Sequence, residues 1–282
     1  MSDIETARTM IKILTGKENV LFTTRCNESI RVAMLLVALE DRANVLYQEE
    51  GGWLTYEKYI KQANLNPIKL VTNFGLVYPS ELKIHELDSA LIINSLAGYI
   101  APQDMDEIFT QCLKHDIFLV NDVSGSIGST YSKQGDIIVG SFGPGKPVDL
   151  GTGGFIATQS DALFEKIKEI TGSDYVEPEL NYKLLVEKLK NLESRRDFLE
   201  NKAKQIKSDL SDMEIVHKDL VGLNVVVLFD DENQKKKITD YCDENNLEYT
   251  VCPREIRVLE PAISIEVKRL TNLTKKTLET NQ

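Results

Sequence analysis

Seven short apolar runs in the first two-thirds of this 282-residue chain alternate with longer amphipathic ones. That rhythm builds βαβ units and a mostly parallel sheet, because each helix crosses back over the sheet to start the next strand in the same direction. The candidate strands are 19–23, 44–48, 68–71, 89–93, 117–121, 137–141 and 154–158. Several are apolar throughout, as strands covered on both faces should be. Between them, residues 29–41, 54–63 and 103–115 carry apolar side chains at helical spacing. The expected fold class is α/β: a three-layer α/β/α large domain with a mostly parallel sheet, then a small C-terminal α+β domain.

From 179 to 213 the chain turns charged and helical, with Leu185, Leu189, Leu192, Leu199, Ala203, Ile206 and Leu210 at three- and four-residue steps once Arg196 is counted. Such a seam can pack on a partner helix. Arg196 interrupts it and the run is short for a coiled coil, so a long helix over the domain junction is expected. After it, 223–229, 233–245, 248–251 and 262–267 read as strand, helix, strand, strand. The expected division is therefore 1–178 for the large domain, 179–213 for the connecting helix and 214–282 for the small domain. The tail from 271 to 282 is expected to fray.

Composition narrows the function classes. A net charge of −11 argues against nucleic-acid partners, which call for basic surface. No run reaches the roughly 18 apolar residues of a membrane span, and the start MSDIETARTM has no apolar signal core, so a cytoplasmic protein with no membrane partner is expected. Cys26, Cys112, Cys242 and Cys252 form no CxxC pair and are read as reduced thiols. His85, His115 and His217 show no i, i+4 spacing, so no metal site is expected and each is read as a surface or structural residue.

In a doubly wound sheet the ligand sits beyond the carboxyl ends of the strands. One such end holds Lys146 in the glycine-rich turn of GDIIVGSFGPGKPVDLGTGGFIAT, near Ser141 and Pro144. Loops of this kind bring main-chain N–H groups close to an anion. The segment alone leaves two possibilities open, a covalent cofactor anchor and a solvated lysine in a hairpin turn. Other strand ends help decide. Cys26 and Asn27 open a helix, where free N–H groups make an anion site or an ordinary cap. Trp53, the sole tryptophan, follows Gly51-Gly52 and can offer a face to a planar ring or pack in the core. Asn94 to Tyr99 follow the fourth strand, while Asp122 and Ser124 follow the fifth. A carboxylate after an apolar run needs a partner. An aspartate facing a pyridinium nitrogen, with a lysine further along as Schiff base, is the recurring arrangement of pyridoxal phosphate enzymes.

The segments IFLVNDVSGSIGS, GDIIVGSFGPGKPVDLGTGGFIAT and LNYKLL…LKNLESRRDFLENKAKQI resemble, in order and spacing, the DegT/DnrJ-type sugar aminotransferases, pyridoxal-phosphate enzymes of the aspartate aminotransferase fold. The resemblance runs from about Val20 to Leu210, with the small domain similar only in outline. It implies Lys146 as the Schiff-base lysine and Asp122 as the partner of the pyridine nitrogen. It implies Ser141 at the phosphate, Cys26 and Asn27 where the family has a phosphate-binding Gly-Thr pair, and Trp53 as the ring-stacking aromatic. Asn94 and Ser124 join the cofactor set. Asn181, in an Asn-Tyr-Lys similar to the family's Asn-Tyr-Arg, would reach the phosphate of a neighbouring subunit's cofactor, which implies a homodimer with shared active sites.

The implied activity is an aminotransferase acting between small-molecule amino donors and acceptors, amino acids or amino or keto sugars. Gly125, where glutamine or histidine often follows the aspartate, Cys26-Asn27 and Lys183 depart from the pattern and leave the reaction open. A lyase or desulfurase on the same cofactor is one alternative, for which Cys252 would have to be mobile. A non-catalytic cofactor-binding or regulatory homologue is the other. Arg254 or Arg257 is the candidate fork for a substrate carboxylate. The first strand lies so early that the N-terminal cover of the site is expected to be reduced and the site more open.

Overall fold

A computed structural model describes residues 1–85, 88–172 and 174–271, with the side chain of His85 left out. Its centre is a seven-stranded sheet of β1 (Asn19–Thr23), β2 (Asn44–Gln48), β3 (Asn66–Leu70), β4 (Ser89–Asn94), β5 (Phe118–Asp122), β6 (Ile137–Ser141) and β7 (Gly154–Thr158). The order is β1-β7-β6-β5-β4-β2-β3. Strands β6, β5, β4, β2 and β3 run parallel, and β7 lies antiparallel between β6 and β1. Every residue of β4, β5 and β7 is buried, which is why these runs carry no polar alternation. The mostly parallel sheet is the expected one. Strand β5 ends one residue later than its apolar run suggests, because Asp122 still pairs with Asn94 and Val139.

The sheet is covered on both faces. Helices α1 (Asp3–Thr15), α2 (Cys26–Leu39), α3 (Tyr56–Gln62), α4 (Met105–Lys114) and α5 (Asp161–Thr171) belong to this part. Ile30, Ala33 and Val37 of α2 pack with Ile167 of α5 on Val120, Val139 and Ile156. On the other face, Ala7 and Ile11 of α1 meet Phe22, Ile138 and Phe155, and Ile108 of α4 meets Leu91 and Leu119. Helices α1 and α5 are absent from the periodicity reading. The first is framed by its caps: Ser2 Oγ accepts from the Glu5 N–H at 3.3 Å, and Gly16 closes it at φ 66°.

The stretch expected as one connecting helix is two, α6 (Tyr182–Lys190) and α7 (Leu192–Asp209). The break falls at Asn191, at φ −96° and ψ 8°, whose side chain donates to the Glu187 carbonyl at 3.0 Å beside its own backbone N–H at 3.2 Å. The leucine seam divides there. Leu185, Leu189 and Leu192 face the core under α1, whereas Leu199, Ala203, Ile206 and Leu210 face a second core built on the C-terminal strands. Arg196 donates to the Ser126 carbonyl and to Tyr131 Oη, both at 3.2 Å.

Beyond α7, β8 (Val225–Leu228), β9 (Tyr249–Cys252) and β10 (Ala262–Ile265) form an antiparallel sheet in the order β8-β10-β9, with α8 (Glu232–Glu244) against β10. Two sets of backbone bonds fasten it to the large sheet's carboxyl edge. The Gly51 N–H donates to Glu255 at 2.7 Å, and the Leu223 and Asn224 N–H groups both donate to the Tyr99 carbonyl at 2.8 Å. The tail expected to fray lies, from residue 272 on, outside the described residues.

Candidate active site

The parallel strands deliver their last residues to one edge. Asn94 and Asp122 are register partners at the ends of β4 and β5. Ser141, the last residue of β6, pairs with Gly154, the first of β7, so the loop carrying Lys146 leaves and re-enters the sheet at one rung. Helix α2 starts immediately above. A Cβ on Gly154 would stand 2.6 Å from the Cys26 nitrogen, so only glycine lets β7 pass under the first turn of α2. Cys26 and Asn27 of that turn, at the positive end of the helix dipole, line the same space.

That space is a cavity of about 450 Å³, lined by Cys26, Asn27, Trp53, Asn94, Asp122, Ser124, Ser141 and Lys146. Asn181 lies outside it. Its exposed side chain caps α6, Oδ1 accepting from the Leu184 N–H at 3.0 Å.

The carboxylate of Asp122 is buried and held from two sides. Tyr56 Oη donates to Oδ2 at 2.7 Å and the Ser124 N–H donates to Oδ1 at 2.9 Å. Asn27 Oδ1 accepts from Trp53 Nε1 at 2.8 Å and from Thr55 Oγ1 at 3.1 Å, fixing the indole at the cavity wall. Ser141 Oγ accepts from the Gly143 N–H at 3.1 Å. Asp149 accepts from the N–H groups of Gly145 and Gly151 at 2.6 and 2.8 Å, which shapes the lysine loop.

Lys146 Nζ lies 5.1 Å from the Trp53 ring centroid and 4.9 Å from that of Tyr99, and it donates a hydrogen bond to Tyr99 Oη. Burial works against its ammonium form, but Tyr99 and then Asp122 outweigh burial and hold the amine above its ordinary value. Burial, and then Asp122, push the Cys26 thiol well up, so it stays protonated and inert.

Tyr56, Tyr99 and Lys268 escape a reading of strand ends, and Arg257 is expected from the sequence only as a fork for a substrate carboxylate. Tyr56 sits in a helix beneath Asp122. Tyr99 lies in a segment flagged by its place after β4, yet nothing in that segment announces contact with Lys146. Arg257, in the loop between β9 and β10, and Lys268, just after β10, line the cavity. The guanidinium of Arg257 is engaged, Nε and Nη2 donating to Glu266 at 2.8 and 2.7 Å and Nη1 to the Ile256 carbonyl at 2.8 Å, with Lys268 Nζ on the same carboxylate at 3.0 Å. Burial opposes the Glu266 charge, yet Arg257 and Lys268 hold its carboxyl far below the usual range. The fork expected to take a substrate carboxylate is therefore occupied, and Arg254 does not line the cavity. Cys252 is buried at the end of β9 and its thiol is raised by burial, unlike a mobile nucleophile.

Among the described residues no group of His, Cys, Asp and Glu could hold a metal ion, and no helix is long and apolar enough to cross a membrane.

The profile of the DegT/DnrJ/EryC1/StrS aminotransferase family matches residues 8–251. A UDP-4-amino-4,6-dideoxy-N-acetyl-beta-L-altrosamine transaminase of Campylobacter jejuni is 31% identical over 118 residues, 36% of this chain and 31% of that protein. An uncharacterised protein of Methanocaldococcus jannaschii is 23% identical over 163 residues, 54% of this chain and 41% of its own length. The matches thus span well under two thirds of these curated relatives. Among solved structures, a DegT DnrJ EryC1 StrS aminotransferase from Brucella abortus superposes with TM-score 0.75 at 13% identity, covering 99% of this chain and 88% of that one. NtdA from Bacillus subtilis with bound cofactor PMP gives 0.75 at 15% identity, covering 99% and 76%. Helicobacter pylori PseC, an aminotransferase involved in the biosynthesis of pseudoaminic acid, gives 0.74 at 15%, covering 99% and 91%. At these identities the likeness is one of fold.

Proposed function

The chain belongs to the DegT/DnrJ/EryC1/StrS aminotransferase family, and from that premise we propose that it is a pyridoxal-phosphate-dependent aminotransferase acting on an amino or keto sugar, with Lys146 as covalent anchor. One observation carries this: a lysine amine, a buried carboxylate, an indole face and a helix N-terminus converge on a single cavity of about 450 Å³. The donor set fits the cofactor's parts. Volume and polarity suit a small planar anion, and Gly154 leaves the first turn of α2 uncovered where a Cβ would fill it.

When bound, pyridoxal phosphate supplies a cationic ring that withdraws electrons from the α-carbon of an attached amine. The protein's part is to hold it and to manage protons. The first turn of α2, with Ser124 and Ser141, would receive the phosphate. Asp122 would keep the ring nitrogen protonated, its charge steadied by Tyr56 and the Ser124 N–H. Trp53, locked by Asn27, would cover one ring face. Lys146 would take a proton from the substrate's α-carbon and return it one position away.

The engaged fork of Arg257 favours a sugar over a substrate recognised by its carboxylate. Cys252 gives no support to a desulfurase. We assign 1–178 to the cofactor domain, 179–213 to the connection and 214–282 to the small domain. The exposed Asn181 is consistent with reaching a second copy in a homodimer. Four free cysteines fit a reducing, cytoplasmic setting.

The test is spectroscopic. Purified protein mixed with pyridoxal phosphate gains a visible band that borohydride abolishes, leaving a mass increase on the Lys146 peptide, and Lys146→Ala gains neither. No band in the wild type overturns the assignment. A band that no amino donor bleaches makes the chain a cofactor-binding homologue without transaminase activity.

A further inference from the structure

Resting on the assignment of Lys146 as cofactor lysine, we propose that Tyr99 is a catalytic residue that exchanges a proton directly with Lys146, and that Gly125 is the space that admits it. The contact is direct, Nζ to Oη. The ring also lies between further cations, Lys268 Nζ at 4.9 Å and the Arg257 guanidinium at 5.6 Å from its centroid. Those two charges are anchored from behind by buried Glu266, so their position does not depend on the ring.

The backbone is specialised as well. Tyr99 sits at φ 66°, a left-handed conformation a bulky residue rarely adopts. It is held there by its N–H donating to Leu96 at 3.0 Å and by its carbonyl accepting from Leu223 and Asn224. Strain of this sort persists where surrounding structure over-determines it. On the far side, a Cβ at Gly125 would stand 2.7 Å from Tyr99 Cε1 and 3.0 Å from Cδ1. Any side chain at 125 would drive the phenol from the lysine.

Phenol and amine share one direct hydrogen bond, so the proton crosses a single contact, and the raised proton affinity of the Lys146 amine favours its arrival there. In the step, the O–H bond of Tyr99 breaks and an N–H bond of Lys146 forms, turning the freed amine into an ammonium and the phenol into a phenolate. Lys268 and Arg257 lie 4.9 and 5.6 Å from the centroid of the ring that carries the new negative charge. The reverse transfer restores the phenol and the amine's lone pair, with no other donor needed. Bulk alone would not require a hydroxyl aimed at Nζ.

The test reads Lys146 without cofactor first. Its acylation by acetic anhydride is followed against pH by peptide mass spectrometry, with exposed Lys133 as internal reference, in wild type, Tyr99→Phe, Gly125→Ala and the double variant. Groups facing Lys146 are Tyr99, Asp122, Cys26 and Lys268, and those facing Tyr99 are Lys146, Lys268, Arg257 and Tyr56, so only the phenol changes in Tyr99→Phe. The Lys146 midpoint moves about one unit down in each single variant, and the double variant adds nothing. In protein loaded with pyridoxal phosphate, the half-reaction with an amino donor slows about 100-fold in Tyr99→Phe with KM little changed. A midpoint within about 0.2 unit of wild type overturns the proposal, as does a shifted midpoint with an unslowed half-reaction, which would leave Tyr99 a packing residue. Should Gly125→Ala not fold, Tyr99→Phe decides alone, since it keeps the ring. If wild type takes up no pyridoxal phosphate, the assigned function fails instead, and the acylation profiles still decide whether the two groups are coupled.

Discussion

Tyr56 donates its phenolic hydrogen to Oδ2 of Asp122 at 2.7 Å, with both side chains buried. A helix on the covered face of the sheet thereby holds a carboxylate that opens onto the cavity. Tyr56→Phe removes one of its two donors at constant bulk. A hydrogen bond to a charged group contributes about 1.5–3 kcal/mol, so kcat is expected to drop roughly tenfold or more, with KM nearly constant. Asp122→Asn, which removes the charge itself, should cost about 10²–10³ in kcat. Steady-state kinetics on the two variants checks the order; equal losses would mean Tyr56 is no mere support.

Gly154→Ala places a methyl carbon 2.6 Å from the Cys26 nitrogen and 2.9 Å from the Gly140 carbonyl oxygen. Overpacking of this kind costs about 1–3 kcal/mol. Cofactor affinity, measured by fluorescence titration with pyridoxal phosphate, is expected to fall at least tenfold, since the first turn of α2 must lift. Unchanged affinity would place the phosphate elsewhere.

Glu266→Gln leaves Arg257 and Lys268 buried beside a neutral amide. Breaking such a group destabilises by about 3–5 kcal/mol, read from urea unfolding at pH 7. The carboxyl's folded value is depressed, so its contribution is present above its ordinary value of 4.5 and fades as pH falls toward the folded one. Wild type and variant should converge in acid.

Lys207 gives a trend of the same sign at the alkaline end. Its Nζ donates to the carbonyls of His217, Lys218 and Leu220 at 2.9, 3.2 and 2.7 Å, while burial pulls it from 10.5 down to about 8. Between those values the unfolded chain binds the proton and the folded one does not, so stability due to this group rises with pH. The unfolding free energy of wild type minus that of Lys207→Met should climb between pH 8 and 10.5. A flat difference would show that Lys207 keeps its proton.

The sheet was legible because its strands announce themselves. Runs such as Asn19–Thr23 and Ile137–Ser141 are apolar inside and end in polar residues at one edge. That rule gathers Cys26, Trp53, Asp122, Ser141 and Lys146 from the sequence alone. Tyr99 escaped because its contact depends on a left-handed backbone and on the missing side chain of Gly125, neither of which has a periodicity. The split at Asn191 escaped for a related reason: a seam of leucines records that a face is apolar, not that its two halves serve different cores. Glu266 and Lys268 are charged, and no pattern in the sequence marks that the fold buries them together.

Ser141 and Gly154 share one rung of the sheet, and the loop between them bears Lys146. The reversal of β7 therefore turns that loop into a closed handle whose two ends rest on the same support. Residues can enter or leave the handle without moving any strand, so the lysine's reach can be retuned for a larger or smaller substrate while the scaffold that holds the rest of the site stays as it is.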